Sequence, residues 1–333
     1  MGAAPVRHPR RLRSEPPLDT AIALSVFDRP DTTRRVFAAI AAAQPRRLFV
    51  FADGPRSEEE ARRCELALAE TKAVDWDCDV RWDVAGENLG ARRRYSSGVD
   101  WVFSEVDEAI VLDDDCLPDP TFFGFCDELL ARYRTDPRVM MVCGTNYLER
   151  WQDDRQSYHF SCYGGVWGWA TWKRAWRHYD MTLAGWGDEQ VRARVREFVA
   201  DDEHYAIQAR RFDRLYADAT GRHSWDLPWS LARLSHGGLT VVPAVNLVEN
   251  LGNTDGRGLP PAHPLARLPM GTLPPPLRHP GEVAPDREYD RRHVRRMFDW
   301  WEEQARRTPA ARPSLAQRVT RRLGGRVRRG GRH

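Results

Sequence analysis

The run Ala109-Ile110-Val111-Leu112 stops on three consecutive carboxylates, Asp113-Asp114-Asp115, and Cys116-Leu117-Pro118-Asp119-Pro120 follows. Four apolar residues in series suit a strand covered on both faces rather than one that alternates between core and water. Acidic side chains at the end of such a strand reach the carboxyl edge of a sheet, where open α/β folds place their ligands, and adjacent carboxylates suit a hard divalent cation. The competing reading is a charged strand end with no further role.

The segments before this run repeat one pattern. Thr20 to Phe27 reads as a buried strand, Asp28-Arg29-Pro30-Asp31 breaks it, and a helix with Val36, Phe37 and Ile40 on one face follows. Arg47 to Ala52 is the second strand; it ends on Asp53-Gly54-Pro55, and a helix from Ser57 through Leu68 carries Glu58, Glu59 and Glu60 in its first turn. Asp79 to Val84 is the third strand, with Gly86-Glu87-Asn88-Leu89-Gly90 turning into a helix over about Ala91 to Val102. After the acidic run, Asp119 caps a helix with Pro120 at its first position and Phe122, Phe123, Cys126, Leu129, Leu130 and Tyr133 on its apolar face, and Arg138 to Gly144 is a fifth strand. Strands alternating with helices at this spacing predict a mostly parallel mixed sheet flanked by helices.

From Tyr147 the alternation is lost, and Trp151, Trp167, Trp169, Trp172, Trp176 and Trp186 fall among Gly164, Gly165 and Gly168. A helical pattern returns from Glu189 to Ala219, and Leu239 to Val248 is a last β-rich stretch. Residues 256–285 are Pro-rich and irregular, Glu288 to Arg306 is helical, and an Arg-rich tail closes the chain. The expected organisation is therefore a disordered basic arm at 1–18, a ligand-binding half at 19–146, a second half of the same domain at 147–255, a Pro-rich segment with a C-terminal helix at 256–305, and an Arg-rich tail at 306–333.

Charge excludes one class of partner. The formal charge of the 333-residue chain is +3, but residues 19–303 hold 37 basic and 47 acidic groups, so the basic excess lies in the two ends. A nucleic-acid-binding body would be basic, and none is expected here. The six cysteines have irregular spacing and no C-x-x-C pair, which fits reduced thiols in a cytoplasmic protein. No apolar segment precedes Ala21 as a signal peptide would, and none has the length of a membrane span. In the tail, Leu315, Val319 and Leu323 recur every four residues among arginines, the pattern of a helix resting peripherally on an anionic inner-membrane face; a solvated tail is the competing reading.

Letters alone do not identify a site. Asp75-Trp76-Asp77 and Asp77-Cys78-Asp79 match a D-x-D string as well as Asp113 to Asp115 do, yet they precede a strand in a polar connection. Context distinguishes the latter: an apolar strand upstream, a capped helix downstream and three strand-helix units before it. A diphosphate leaving group departs from a sugar carbon only when its negative charge is neutralised, and Mg²⁺ or Mn²⁺ on one or two carboxylates does this.

Asp113-Asp114-Asp115, together with Phe27-Asp28-Arg29-Pro30, Asp53-Gly54 and Asn88-Leu89-Gly90, resembles the GT-A glycosyltransferases, closest to the branch around N-acetylglucosaminyltransferase I and its bacterial relatives, over about residues 20–255. The resemblance implies a GT-A-like (Rossmann-like) single domain that transfers a sugar, with inversion, from a nucleoside diphosphate sugar, UDP-linked by expectation, to a glycan, lipid-linked or small-molecule acceptor. By that match Arg29, Asp53, Asn88 and Arg92, within the cluster Arg92-Arg93-Arg94, contact the nucleotide or diphosphate, Asp113 and Asp114 lie on the donor, and Asp115 with Asp113 holds Mn²⁺ or Mg²⁺. Ser224-Trp225-Asp226-Leu227-Pro228-Trp229 resembles the motif that carries the base in this branch, which makes Asp226 the expected catalytic residue and Asp188 the fallback; an N-cap is the plainer role for Asp226. Gly164 to Trp172 resembles a loop over the sugar, with Trp167 as its stacking residue, although Trp172 and Trp176, four apart, fit a packed core better. The chain departs from many such enzymes in having Asn250-Leu251-Gly252-Asn253 where a late metal-binding His would stand. Two alternatives remain open: a sugar nucleotidyltransferase, which would show a Gly-rich phosphate loop after the first strand, and a non-catalytic carbohydrate-binding protein.

Overall fold

The computed structural model describes residues 18–217, 224–254 and 258–307. In chain order the elements are β1 (Ala21–Val26), α1 (Pro30–Ala43), β2 (Arg47–Ala52), α2 (Glu58–Glu70), β3 (Asp79–Val84), α3 (Ala91–Glu105), β4 (Glu108–Asp113), β5 (Cys116–Pro118), α4 (Thr121–Tyr133), β6 (Val139–Cys143), β7 (Tyr158–Ser161), β8 (Trp169–Trp172), α5 (Lys173–Trp176), α6 (Glu189–Val199), α7 (Asp202–Tyr216), α8 (Asp226–Ser235), β9 (Leu239–Pro243), β10 (Val248–Asn250) and α9 (Arg287–Arg307). Residues up to Arg296 pack as one unit, and the remainder of α9 belongs to a second. The arm before Leu18 and the tail after Arg307, with its expected amphipathic stripe, lie outside the described residues. No described helix is long and apolar enough to cross a membrane.

An eight-stranded sheet in the order β3-β2-β1-β4-β8-β6-β9-β7 forms the centre. β1 pairs in parallel with β2 and β4, β2 with β3, and β6 with β9; β8 and β7 are antiparallel insertions. The mostly parallel mixed sheet with flanking helices is thus the one the alternation predicted. β1, β2 and β4 have hardly any exposed residue, as expected of strands covered on both faces. Val36, Phe37 and Ile40 of α1 and all six predicted apolar residues of α4 are buried.

The tryptophan-rich region departs from expectation. Trp169–Trp172 is not part of a loop over a sugar but strand β8, wedged between β4 and β6, with Trp169 and Trp172 buried. Four residues with two bulky aromatics give a strand no periodicity to be read from, and the indoles fill the core instead: Trp169 packs against Trp176, Trp225 and Trp229 at 5.4 to 5.9 Å between ring centroids. The β-rich stretch Leu239 to Val248 also divides. β9 enters the main sheet, whereas β10 pairs with β5 in a separate two-stranded ribbon. The helical stretch after Glu189 breaks at Ala200, whose φ of 53° ends α6 before Asp201 caps α7.

Candidate functional site

The carboxyl ends of β1, β2 and β4 open into a cleft of about 320 Å³ lined by Arg29, Asp53, Asn88, Asp113, Asp114 and Asp115 among others. Register explains the convergence: β1 and β4 run side by side with Ser25 opposite Asp113, so the turn after β1 and the acidic run leave the sheet together. The Phe27 amide donates to Asp114 Oδ2 at 2.8 Å, and Arg29 Nη1 reaches Asp115 Oδ2 at 2.5 Å. The Tyr95 hydroxyl accepts from Trp169 Nε1 at 3.1 Å, and Tyr95 lines the cleft with Asp113.

Three carboxylates this close resist ionising together. Burial, then Asp115 and Asp114, raise the Asp113 carboxyl well above its usual range against the pull of Arg29. Burial and Asp115 push Asp114 up to about 7, opposed by the Phe27 amide and Arg29. Donor atoms of Asp113, Asp115 and Cys116 lie within 4.8 Å of one another. Burial, with Asp115 next, raises the Cys116 thiol, which keeps it protonated, and it points at Asp115 Oδ1 at 3.5 Å. The two carboxylates, Asp113 and Asp115, are therefore the pair that fits a hard divalent cation.

Asp53, which lines the cleft, is also held by four donors. Its Oδ1 accepts from the amides of Gly54 at 3.0 Å and Leu89 at 2.8 Å, and its Oδ2 from Gly90 N at 3.0 Å and Asn88 Nδ2 at 3.1 Å. Asn88 Nδ2 also donates to Gly54 O at 2.7 Å. Asp53 and Asn88 line the cleft, but together they tie the end of β2 to the turn before α3. Gly54 permits this approach: a Cβ there would stand 2.4 Å from the Glu87 carbonyl carbon. Arg94, rather than Arg92, is the member of the arginine cluster that lines the cleft, and its guanidinium is held by Ala52 O at 3.0 Å and by the carbonyl of Asp83 at 2.6 Å.

Arg92 and Trp167 do not line this cleft. The Trp167 ring packs edge-on against Tyr147 at 5.5 Å, and its carbonyl accepts from Thr145 Oγ1 at 2.8 Å. Asp226 is the first residue of α8, whose N-cap position falls on Trp225 instead; Trp225 does line the cleft and stacks on Tyr95 at 3.8 Å. Asp188 is an ordinary helix cap that accepts from Gln190 N at 2.8 Å. Sequence reasoning missed Tyr95 and Trp225 as cleft residues: Tyr95 reads as part of the apolar face of α3, and Trp225 as a flank of Asp226 at the head of α8.

The 3-10 turn Leu251–Thr254 completes one wall: Leu251 N donates to Asp115 O at 2.7 Å, and a Cβ on Gly252 would stand 2.1 Å from Asp115 Oδ2.

Fold and cleft define an α/β protein with an acidic cleft at the carboxyl edge of its sheet. No family model matches the chain and no curated protein does. Among solved structures, a cytidylyltransferase from Leptospira borgpetersenii serovar Hardjo-bovis overlaps 49% of this chain and 64% of its own length, at a TM-score of 0.29 and 11% identity. A UDP-glucose pyrophosphorylase complexed with UDP-glucose overlaps 48% of this chain and 79% of its own length, at a TM-score of 0.29 and 8% identity. Similarity at this level concerns the arrangement of strands and helices alone.

Proposed function

We propose that the chain is a metal-dependent enzyme of nucleoside diphosphate sugars, and that the reaction is glycosyl transfer. The observation that carries this is the Asp113 and Asp115 pair at the carboxyl end of β4, facing Arg29, in one cleft with Asn88. Mn²⁺ or Mg²⁺ held by Asp113 and Asp115 would supply positive charge to a departing diphosphate. Arg29, paired with Asp115, is placed to exchange that partner for a phosphate oxygen. Asp114, tied to the Phe27 amide, keeps the turn after β1 against the acidic run. The stacked Tyr95 and Trp225 rings form an apolar wall that keeps water from the reacting carbon.

In the transfer, the acceptor oxygen forms a bond to the anomeric carbon as the bond from that carbon to the diphosphate oxygen breaks. The electron pair leaves with the diphosphate and the acceptor's proton goes to Asp226, on the helix that Trp225 leads into. Attack from the face opposite the diphosphate inverts the centre. Asp226→Asn should abolish transfer and leave nucleotide binding intact, as calorimetry on the variant would read; retained turnover removes Asp226 from this role.

Sugar nucleotidyl transfer is the second reading, because the same carboxylate pair and cation would serve attack at a phosphate. Against it, β1 passes into α1 through Phe27-Asp28-Arg29, a turn with no glycine to let backbone amides cradle a triphosphate. Incubation with UDP- and GDP-sugars and Mn²⁺ separates the readings. Release of the nucleoside diphosphate supports glycosyl transfer. Formation of nucleoside triphosphate from added pyrophosphate supports the second, and metal-dependent binding without either leaves a carbohydrate-binding protein.

A further inference from the structure

β3 is the outermost strand of the main sheet, and among the described residues no strand pairs with its outer edge. Its sequence, Asp79-Val80-Arg81-Trp82-Asp83-Val84, pairs in parallel with β2 along its whole length. Asp79 N donates to Arg46 O at 2.9 Å and Ala85 N to Ala52 O at 3.0 Å. Backbone groups alternate in direction along a strand, so the amides of Asp79, Arg81 and Asp83 face β2, while the amides and carbonyls of Val80, Trp82 and Val84 face outward. Side chains alternate between the faces of the sheet in the same way. On one face Arg81 meets Glu105 of α3 at 2.7 Å and Asp83 meets Arg94 at 2.8 Å. On the other, Trp82 Nε1 donates to Thr71 Oγ1 at 3.2 Å, yet Trp82 is 42% and Val84 49% exposed.

An open edge is a template for a further strand, and charged residues on it commonly oppose such pairing. Here the spacing of the charges decides which strand fits. About Trp82 as centre, valine answers valine and aspartate answers arginine. A second β3 laid antiparallel, with Trp82 facing its own copy, puts Val80 opposite the partner's Val84 and Arg81 opposite the partner's Asp83, and the same again in reverse. The outward groups of Val80, Trp82 and Val84 are then the ones that exchange hydrogen bonds, two for each opposed pair. The adjacent registers with the same hydrogen-bonding parity fit worse. Centring on Arg81 opposes two arginines and sets Asp79 against the partner's Asp83; centring on Asp83 opposes two aspartates. Unlike charges directly opposite are favourable and like charges unfavourable, so the register centred on Trp82 wins. A patch that complements itself in this way is what a two-fold dimer requires.

We propose that β3 pairs with β3 of a second copy of this chain in that register, joining the two main sheets across a two-fold axis. The pairing is independent of the reaction in the cleft. The test is sedimentation of the full chain at about 100 µM, a concentration that populates a dimer with a dissociation constant in the micromolar range. The unaltered chain should sediment as a dimer. Arg81→Glu and Asp83→Arg, each opposing like charges, should sediment as monomers, and an equimolar mixture of the two should restore a dimer because acid then faces base at both positions. Asp83 also holds Arg94, so Trp82→Lys, which opposes two ammonium groups on the axis, covers the case in which the Asp83 variant fails to fold; it too should be monomeric. Hydrogen exchange gives a second readout: the Val80, Trp82 and Val84 amides should be protected at about 100 µM and lose protection on dilution, while those of Arg81 and Asp83, bonded to β2, stay unchanged. A monomeric unaltered chain overturns the proposal, as does a dimer that Arg81→Glu and Trp82→Lys leave intact, or a mixture of folded variants that stays monomeric. Protection of the three outward amides at every concentration would mean that another segment of this chain takes the edge, and overturns it as well.

Discussion

At the scale of single residues, Asp115 and Gly252 bear the sharpest expectations. Asp115 Oδ2 is held by Arg29 at 2.5 Å, and its carbonyl by Leu251 N at 2.7 Å. Asp115→Ala should therefore lower Mn²⁺-dependent affinity for UDP by at least about tenfold, the scale of one lost charged interaction, while leaving metal-free affinity nearly unchanged. Paired titrations with and without Mn²⁺ read this directly. Gly252→Ala would drive a methyl into Asp115 Oδ2, at 2.1 Å in the present geometry, so the carboxylate must turn away. The side chain can move, which makes the cost to folding small, under about 1 kcal/mol, and the cost to metal binding the larger effect. A thermal midpoint that collapses, with metal affinity intact, would contradict that assignment. The acidic run was legible in the sequence because four apolar residues led into it. Neither the clamp of Asp53 on Asn88, Leu89 and Gly90 nor the part of Gly252 was, since both depend on partners 35 or more residues distant.

Among elements, the contact between β7 and the first turns of α9 carries an unusual load of polar groups. His159 and His293 are buried, both ring nitrogens of His159 and Nδ1 of His293 are unpartnered, and the rings pack on Tyr289 and Tyr163. Burial pushes each imidazole down to about 3 from 6.5. Between those values the unfolded chain holds the more protons, so each histidine destabilises the fold as pH falls from 6.5 toward 3. Asp290, pushed up to about 6 by burial despite the Ser161 hydrogen bond, acts in the opposite sense between 3.8 and 6. Asp113 and Asp114, also raised by burial, act in the same sense as Asp290, so the part of the histidines is read by difference. Against the unaltered chain, His293→Leu should gain thermal midpoint as pH falls from 6 to 4, by roughly 2 °C per pH unit; calorimetry on both proteins across this range is the check. The helix itself was legible, expected from Glu288 to Arg306 and found over Arg287–Arg307. Its buried polar face was not, because a histidine reads the same in sequence whether it meets water or tyrosine.

Over the molecule as a whole, ligand and fold should be linked. A ligand bound by the native chain alone at a hundred times its dissociation constant stabilises it by about 2.7 kcal/mol. UDP with Mn²⁺ should therefore raise the thermal midpoint by several degrees and EDTA should cancel the shift; an unchanged midpoint at saturation would mean that the cleft does not take the pair. The sheet order makes this coupling physical. β8 enters between β4 and β6, and its Trp169 meets Trp225 at the head of α8, so the segment after Tyr147 is built into the wall of the cleft.

The sequence by itself determined the repeated strand-helix units, the burial of β1, β2 and β4 on both faces, and the end of β4 as the site of the acidic run, because each depends on the order of apolar and polar residues over a short window. Only the tertiary structure decided that Trp169–Trp172 is an inserted antiparallel strand, that Leu239 to Val248 divides between two sheets, and that Arg94 rather than Arg92 lines the cleft. Those are choices among partners remote in sequence, and packing geometry, not local pattern, selects between them.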